Sequence, residues 1–96
     1  MPRAIVLNSA DNVSTLIDPG RAKDSCTLQG EADGDIRLME DIPFGHKVCI
    51  RATAEGADVV KYGQVIGVAS KALAIGDHVH THNVDSARGR GDKQAR

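Results

Sequence analysis

Three of the four histidines in this 96-residue chain lie within one short segment, as His78, His80 and His82. Side chains alternate between the two faces of a strand, so these three imidazoles share one face of an extended segment. Neutral imidazole is the commonest metal ligand, and the pattern predicts half of a divalent-metal site. Because positions i and i+4 of a strand lie about 13 Å apart, all three can bind one ion only where the strand bends or ends. A solvent-exposed polar strand end is the alternative interpretation.

Other polar residues are candidates for binding an anion or for shaping turns. Lys61 and Tyr62 precede a glycine at a predicted strand end, where a cation and a phenol can hold a carboxylate. A lysine stem packed beside a core tyrosine explains the same pair. His46 follows a glycine, where a histidine is more often a turn residue than a ligand. Asp11 and Asn12 precede an apolar run, a position typical of turn and cap residues.

The elements that must position these residues are short strands. Apolar runs separated by Gly, Asp and Pro predict a small, mainly β domain. Gly63 predicts a tight turn or bend between two strands, and residues 70–75 are compatible with one helical turn. The predicted strands cover residues 3–7, 13–17, 25–28, 36–39, 47–54, 59–62, 64–69 and 77–84.

A short pattern recurs along the chain. Segments 42–48 and 73–79 each contain an apolar residue, two spacers, a glycine, two polar residues and a valine, and segment 54–59 is a looser third copy. Each copy predicts a turn that ends at glycine and starts a strand. The uneven intervals exclude a solenoid and favour repeated corners in a compact β fold.

Composition and charge limit the class of protein. The core must be aliphatic, because the chain lacks Trp, and Phe44 and Tyr62 are its only aromatic residues. Residues 1–85 carry eight Lys and Arg against twelve Asp and Glu, a net charge of −4; residues 86–96 carry four against one, a net charge of +3. We therefore expect one domain at 1–85 and a basic, flexible tail at 86–96. The tail offers no aromatic side chains for base stacking, which argues against nucleic-acid binding.

Membrane and secretory features are not expected. No segment approaches the roughly 18 consecutive apolar residues that span a bilayer, and the first residues lack the apolar core of a signal peptide. Two cysteines, Cys26 and Cys49, are too few for a disulfide framework and predict free thiols in a reducing cytoplasm.

Five phrases in fixed order resemble one family. They are DNV at 11–13, IPFGHKV at 42–48, VKYG at 60–63, VIG at 65–67 and GDHVHTHNV at 76–84. Together they resemble the N-terminal SAF-like domain of altronate and galactarate dehydratases, and the small subunit of sulfolactate sulfo-lyase is similar. The resemblance extends to about residue 90, and residues 20–35 match least. It implies a β-clip fold of short strands with at most one or two short helical turns.

The resemblance also implies an activity and a partner. The large catalytic portion lies on another chain or a fused domain, and we expect the separate small subunit, with a truncated piece as the alternative. The implied reaction removes water from a hydroxylated sugar acid to give a 2-keto-3-deoxy acid. Sulfolactate cleavage follows the same plan with sulfite as the leaving group. The resemblance implies a divalent metal, iron(II) with manganese as the alternative. Its main ligands can lie on the partner chain.

On this resemblance, His78, His80 and His82 lie at the metal or substrate mouth of a shared active site. No general base is named, and the partner is one place for it. Two other classes stay open: a stand-alone module that binds a sugar acid or a protein surface, and a structural domain that holds an oligomer together. The weaker candidates for substrate binding are Lys61, Tyr62, Asn83, His46, Asp11 and Asn12.

Overall fold

A computed structural model describes residues 1–86 as two sheets of short strands with no helix among them. The six-stranded sheet has the order β4-β3-β1-β2-β5-β8, and the three-stranded sheet has the order β6-β7-β9. Only β1 and β3 pair in parallel; the other neighbours within these sheets are antiparallel. The strands are β1 Arg3–Val6, β2 Val13–Leu16, β3 Ser25–Gly30, β4 Asp35–Arg37, β5 Lys47–Cys49, β6 Asp58–Lys61, β7 Gln64–Ala69, β8 His78–Val79 and β9 Val84–Ser86.

This architecture confirms the predicted mainly β fold and corrects three local predictions. The helical turn expected at 70–75 is wrong, because Leu73 is buried and exchanges two backbone hydrogen bonds with Thr53. The strand expected at 77–84 is broken by a turn into β8 and β9. The strand expected at 47–54 ends at Cys49. Ser86 belongs to β9, one residue beyond the expected domain end, and the rest of the basic tail lies outside the described residues. Within residues 1–86, no helix is long and apolar enough to cross a membrane.

Two aliphatic clusters form the core. Cys26 lies in the first and Cys49 in the second, and both thiols are free, as predicted. Burial raises the pKa of Cys26 to about 11 and also raises the pKa of Cys49, which makes both thiols poor nucleophiles. The buried members of the first cluster are Ala4, Val6, Leu16, Cys26, Leu28, Leu38, Ile42 and Val48. Those of the second are Val13, Cys49, Val59, Ala69, Leu73 and Val79.

Corner turns recur four times, once more than the sequence pattern predicts. In each turn one residue has a positive φ, its amide donates to a carbonyl distant in the chain, and the next amide donates to the carbonyl three residues earlier. The fourth turn escapes the pattern because a lysine replaces the glycine. β-Bridges between Gly20 and Ile42 and between Thr53 and Leu73 join the turns in two pairs. The positive-φ residues are Lys23, Gly45, Gly56 and Gly76, at 75°, 83°, 87° and 95°.

Asn12 attaches the β6–β7 hairpin to the six-stranded sheet. Its buried side-chain amide donates to Oγ1 of Thr53 at 3.1 Å and to the carbonyl of Asp58 at 2.9 Å. Its side-chain oxygen accepts from the amide of Val60 at 2.6 Å, and its own amide donates to the Val60 carbonyl at 3.1 Å. One residue therefore satisfies polar groups on both β6 and the loop before it.

We expect Gly76→Ala to destabilise the domain more than Gly56→Ala. Both glycines have positive φ, so a Cβ costs about 1 to 2 kcal/mol at either position. A Cβ at Gly56 would enter open space, whereas one at Gly76 would collide with the carbonyl oxygen of Arg37. Urea unfolding of the two variants measures the difference. Equal losses would contradict the close approach at Gly76.

We expect Asn12→Ala to lower the free energy of unfolding by about 2 to 4 kcal/mol, because it removes the partner of two partly buried backbone groups on β6 and of the buried Thr53 hydroxyl. Asn8→Ala is the matched control. Asn8 is exposed, and its side-chain oxygen accepts from the amide of Ala10 at 2.9 Å, so its loss should cost less than about 1 kcal/mol. Equal losses by chemical denaturation would show that Asn12 does not anchor the hairpin.

Candidate functional site

Four histidines meet where β8 ends. Antiparallel pairing of β5 with β8 places Val48 opposite His78, which brings His46 beside the histidine segment. His46 stacks on His80 with ring centroids 5.0 Å apart and an interplanar angle of 9°, and it lies 5.1 Å from His78. The ring of His82 lies 5.6 Å from that of His78. We call His46, His78, His80 and His82 the histidine cluster.

The cluster forms because the chain turns at residues 80–83. Asn83 is 5% exposed and holds this turn: its side-chain oxygen accepts from the amide of His80 at 2.9 Å, and its side-chain amide donates to the carbonyl of His78 at 2.8 Å. The strand thus ends within the histidine segment. The sequence predicted that the three rings could come together only where the strand bends or ends. Asn83, predicted as a substrate contact, has both side-chain groups engaged with the turn.

The rings differ in environment. A hydrogen bond of 2.9 Å joins Nδ1 of His46 to Nε2 of His78, so one ring donates and the other accepts. The backbone amide of His78 donates to a carboxylate oxygen of Glu40 at 3.1 Å. Burial, and next the neighbouring His46, hold the pKa of His78 below its usual 6.5, although Glu40 opposes this shift. His80 and His82 are exposed to solvent.

The arrangement does not by itself form a metal centre. Among residues 1–86, no group of three His, Cys, Asp or Glu side chains is placed to hold one ion. The cluster is defined by ring contacts and by the His46–His78 hydrogen bond, which occupies one nitrogen of each ring. Metal binding by His78, His80 and His82 therefore stays a prediction from the sequence.

Lys61 and Tyr62 lie at the tip of the β6–β7 hairpin. Tyr62 and Gly63 both have positive φ, 54° and 77°, as a two-residue turn between twisted strands requires, and this confirms the turn predicted at Gly63. Nζ of Lys61 lies 4.8 Å from the centroid of the Tyr62 ring, a cation–π contact. Tyr62 is 40% exposed and is not a core residue.

A cavity of about 350 Å³ lies between the hairpin, β5 and the histidine turn. Lys61, His80 and Lys47 contribute to its wall. The sequence interpretation missed Lys47, whose only signal was its place after His46 in a corner turn.

Asp11 and Asn12 are buried and serve the fold. The Asp11 carboxylate accepts from the amide of Gly63 at 2.8 Å and from the amide of Asn8 at 3.2 Å, which fixes the hairpin tip. Asp11 is 1% exposed and Asn12 is 9% exposed. Their predicted part in substrate binding stays a prediction, while their structural role is to hold Lys61 and Tyr62 near β5.

Comparison with known proteins gives one family. Residues 2–87 match the family model described as the altronate/galactarate dehydratase SAF domain. The chain is 44% identical over 48 residues to an altronate dehydratase of Bacillus subtilis (strain 168), an alignment that covers 50% of the chain and 10% of that enzyme. It is 43% identical over 58 residues to a (2R)-sulfolactate sulfo-lyase subunit alpha of Paracoccus pantotrophus, covering 58% of the chain and 87% of that subunit. The corresponding subunit of Chromohalobacter salexigens is 32% identical over 72 residues, which are 75% of the chain and 77% of the subunit.

We expect the stability of the metal-free protein to fall as the pH decreases below about 6.5, because the unfolded chain binds a proton at His78 more readily than the folded chain. Above this pH both states are neutral at His78 and the contribution is constant. NMR titration in the presence of a chelator should give a pKa below 6.5 for His78, and His78→Gln should flatten the stability profile.

His82→Gln is the control for that titration, since His46 contributes more than His82 to the shift of the His78 pKa. A His78 pKa at or above 6.5 in the metal-free wild type would contradict the half-buried, cluster-facing environment of this ring.

Proposed function

The chain belongs to the altronate/galactarate dehydratase SAF domain family, and from this we propose that it is the small subunit, or N-terminal domain, of a hydroxy-acid lyase. The observation that carries the proposal is the double match. An alignment of 58 residues covers 87% of a sulfo-lyase subunit alpha, whereas one of 48 residues covers 10% of an altronate dehydratase. A unit that serves as a whole subunit in one protein and as a small part in another is expected to act beside a large catalytic portion.

We propose that the reaction is removal of water from a sugar acid in the cytoplasm. A base takes the proton on the carbon next to the carboxylate, the neighbouring C–O bond breaks, and hydroxide leaves as water after accepting a proton. The resulting enol becomes a 2-keto-3-deoxy acid. We assign the base to the large partner.

In this scheme the histidine cluster faces the shared active site. The support is that His80 and His82 are exposed at the end of β8, beside a cavity that also receives Lys61. Imidazole nitrogens there can bind a substrate hydroxyl or join ligands from the partner. Iron(II), with manganese as the alternative, would polarise the substrate carboxylate and stabilise the enediolate. We propose that the partner supplies its main ligands. Lys61 and Tyr62 are proposed to contact the carboxylate.

The second candidate is the small subunit of a sulfolactate sulfo-lyase, in which sulfite leaves in place of hydroxide. The alignment with most of the length of two sulfo-lyase alpha subunits favours it. A non-catalytic module that binds a sugar acid or a protein surface is the alternative from a different class. Activity in the presence of a large partner chain would distinguish the two lyase-subunit hypotheses from the binding-module hypothesis.

We expect the isolated chain to be inactive and to gain activity when mixed with a large dehydratase-like or sulfo-lyase-like chain from the same genome. Altronate, galactarate and sulfolactate are tested in parallel, with keto-acid formation and sulfite release as the two readouts. Full activity of the chain alone would refute the subunit proposal. Inactivity with every large chain encoded beside it would favour the binding module.

In the active mixture, we expect the double variant His80→Ala/His82→Ala to lower kcat by about 100-fold or more, as loss of a proton-transferring or ligating group does. Gln29→Ala, an exposed change on β3, is the control and should keep wild-type activity. Unchanged activity in the double variant would show that the histidine cluster is not part of the active site.

A further inference from the structure

Lysines 47 and 61 come from distant parts of the chain and face one cavity. Lys47 is the first residue of β5, paired with Thr15 of β2 and Val79 of β8. Lys61 is the last residue of β6. The hydroxyl of Tyr62 reaches Oγ1 of Thr15 at 3.4 Å, so the hairpin tip lies over the row of residues that includes Lys47. Both side chains line the cavity of about 350 Å³ beside His80.

Among the residues that the structure describes, the formally charged side chains lining this cavity are lysines. None of the lining residues within 1–86 is acidic, and neither lysine forms an ion pair with a carboxylate of the described residues. Burial first, and the charge of Lys61 second, hold the pKa of Lys47 below its usual 10.5. Two amines that repel one another in a partly buried place are each stabilised when an anion lies between them.

The remaining walls suit the carbon chain of a small acid. Ile66, Val79 and Val84 line the cavity with aliphatic surface, and Thr81 adds a hydroxyl. Apolar walls lower the local dielectric constant and strengthen the attraction between an amine and an oxyanion. The volume is within the range of about 300 to 1,000 Å³ that ligand pockets have.

A larger groove elsewhere does not share these properties. It has a volume of about 540 Å³ and includes Arg3 and Asp18. Nε of Arg3 and a carboxylate oxygen of Asp18 are 2.7 Å apart, so the guanidinium in that groove already has an anionic partner. Lys47 and Lys61, in the smaller cavity, have no such carboxylate partner among residues 1–86.

We propose that this cavity is an oxyanion site in which Lys47 and Lys61 together hold a carboxylate or sulfonate group of a small hydroxy acid, with Lys47 as a binding residue of the same standing as Lys61. The choice of a hydroxy acid as the ligand rests on the proposed function; the oxyanion site itself rests on the cavity. Both amines converge from separate strands, so the site exists only in the folded chain. Acids with two anionic groups keep one free for the reacting end.

The test is NMR titration of the full 96-residue chain, without a partner, with galactarate as the carboxylate probe and sulfolactate as the probe that adds a sulfonate. Galactitol, which has the carbon chain of galactarate without its charges, is the neutral control. We expect saturable shifts at Lys47, Lys61 and His80 with at least one acid and none with galactitol. Stronger binding of sulfolactate would assign the site to a sulfonate, and stronger binding of galactarate to a carboxylate.

Charge-matched variants decide whether the lysines form the site. Lys47→Gln and Lys61→Gln should each weaken binding about tenfold or more, as expected for loss of a charged hydrogen bond. Lys71→Gln removes one charge at an exposed position outside the cavity and should change affinity less than about twofold. Retained chemical-shift dispersion confirms that each variant folds. If Lys47→Gln does not fold, Lys61→Gln still tests the site independently.

Equal weakening by Lys71→Gln and the two cavity variants, or no saturable shift with either acid, would overturn the proposal. The outcome is separable from that of the proposed function. Lys47-dependent binding without activity in any reconstituted mixture would leave the site and reject the lyase subunit. Activity without Lys47-dependent binding would support the lyase subunit and reject the oxyanion site.

Discussion

The hydrogen bonds of Asn12 are the constraint on which the rest of this small domain depends. Among residues 1–86 the two sheets have no strand in common, and the β6–β7 hairpin would be marginally stable alone, as isolated hairpins are. Asn12 joins it to β2 through the backbone and side chain at once. Asp11 extends the same attachment to the hairpin tip at Gly63. A dipeptide next to β2 therefore decides where Lys61 lies relative to β5.

A second constraint of the same kind shapes the histidine cluster. The alternating histidines would point along one face of a longer strand, too far apart for all of them to meet. Asn83 ends the strand by accepting from His80 and donating to His78, which folds the rings together against His46. In both places a buried asparagine satisfies backbone groups that a regular sheet would have paired. Asn12 thereby positions the hairpin that bears Lys61, and Asn83 holds the turn that brings the histidine rings together.

The corner turns show how few aliphatic residues suffice for this fold. Each turn returns the chain to the sheet with one positive-φ residue and a hydrogen bond to a distant carbonyl. The bridges between paired turns place Ile42 and Leu73 in separate clusters, so the domain has two modest cores in place of one large one. In the turn that the sequence pattern did not predict, Lys23 occupies the position that glycine has in the other three. The pattern missed this turn because it required a glycine.

The sequence by itself determined the mainly β class, the aliphatic core, most strand positions and the family, because alternation, turn residues and ordered motifs are local properties. It also identified the three histidines at 78–82 and the Lys61–Tyr62 pair as polar groups in need of a role. Only the tertiary structure decided that Leu73 pairs with Thr53 in place of a helical turn at 70–75, that His46 joins the cluster and that Lys47 lines the same cavity as Lys61. These outcomes depend on cross-strand register and on buried asparagine hydrogen bonds, which link residues far apart in the chain and leave no periodic signal within it.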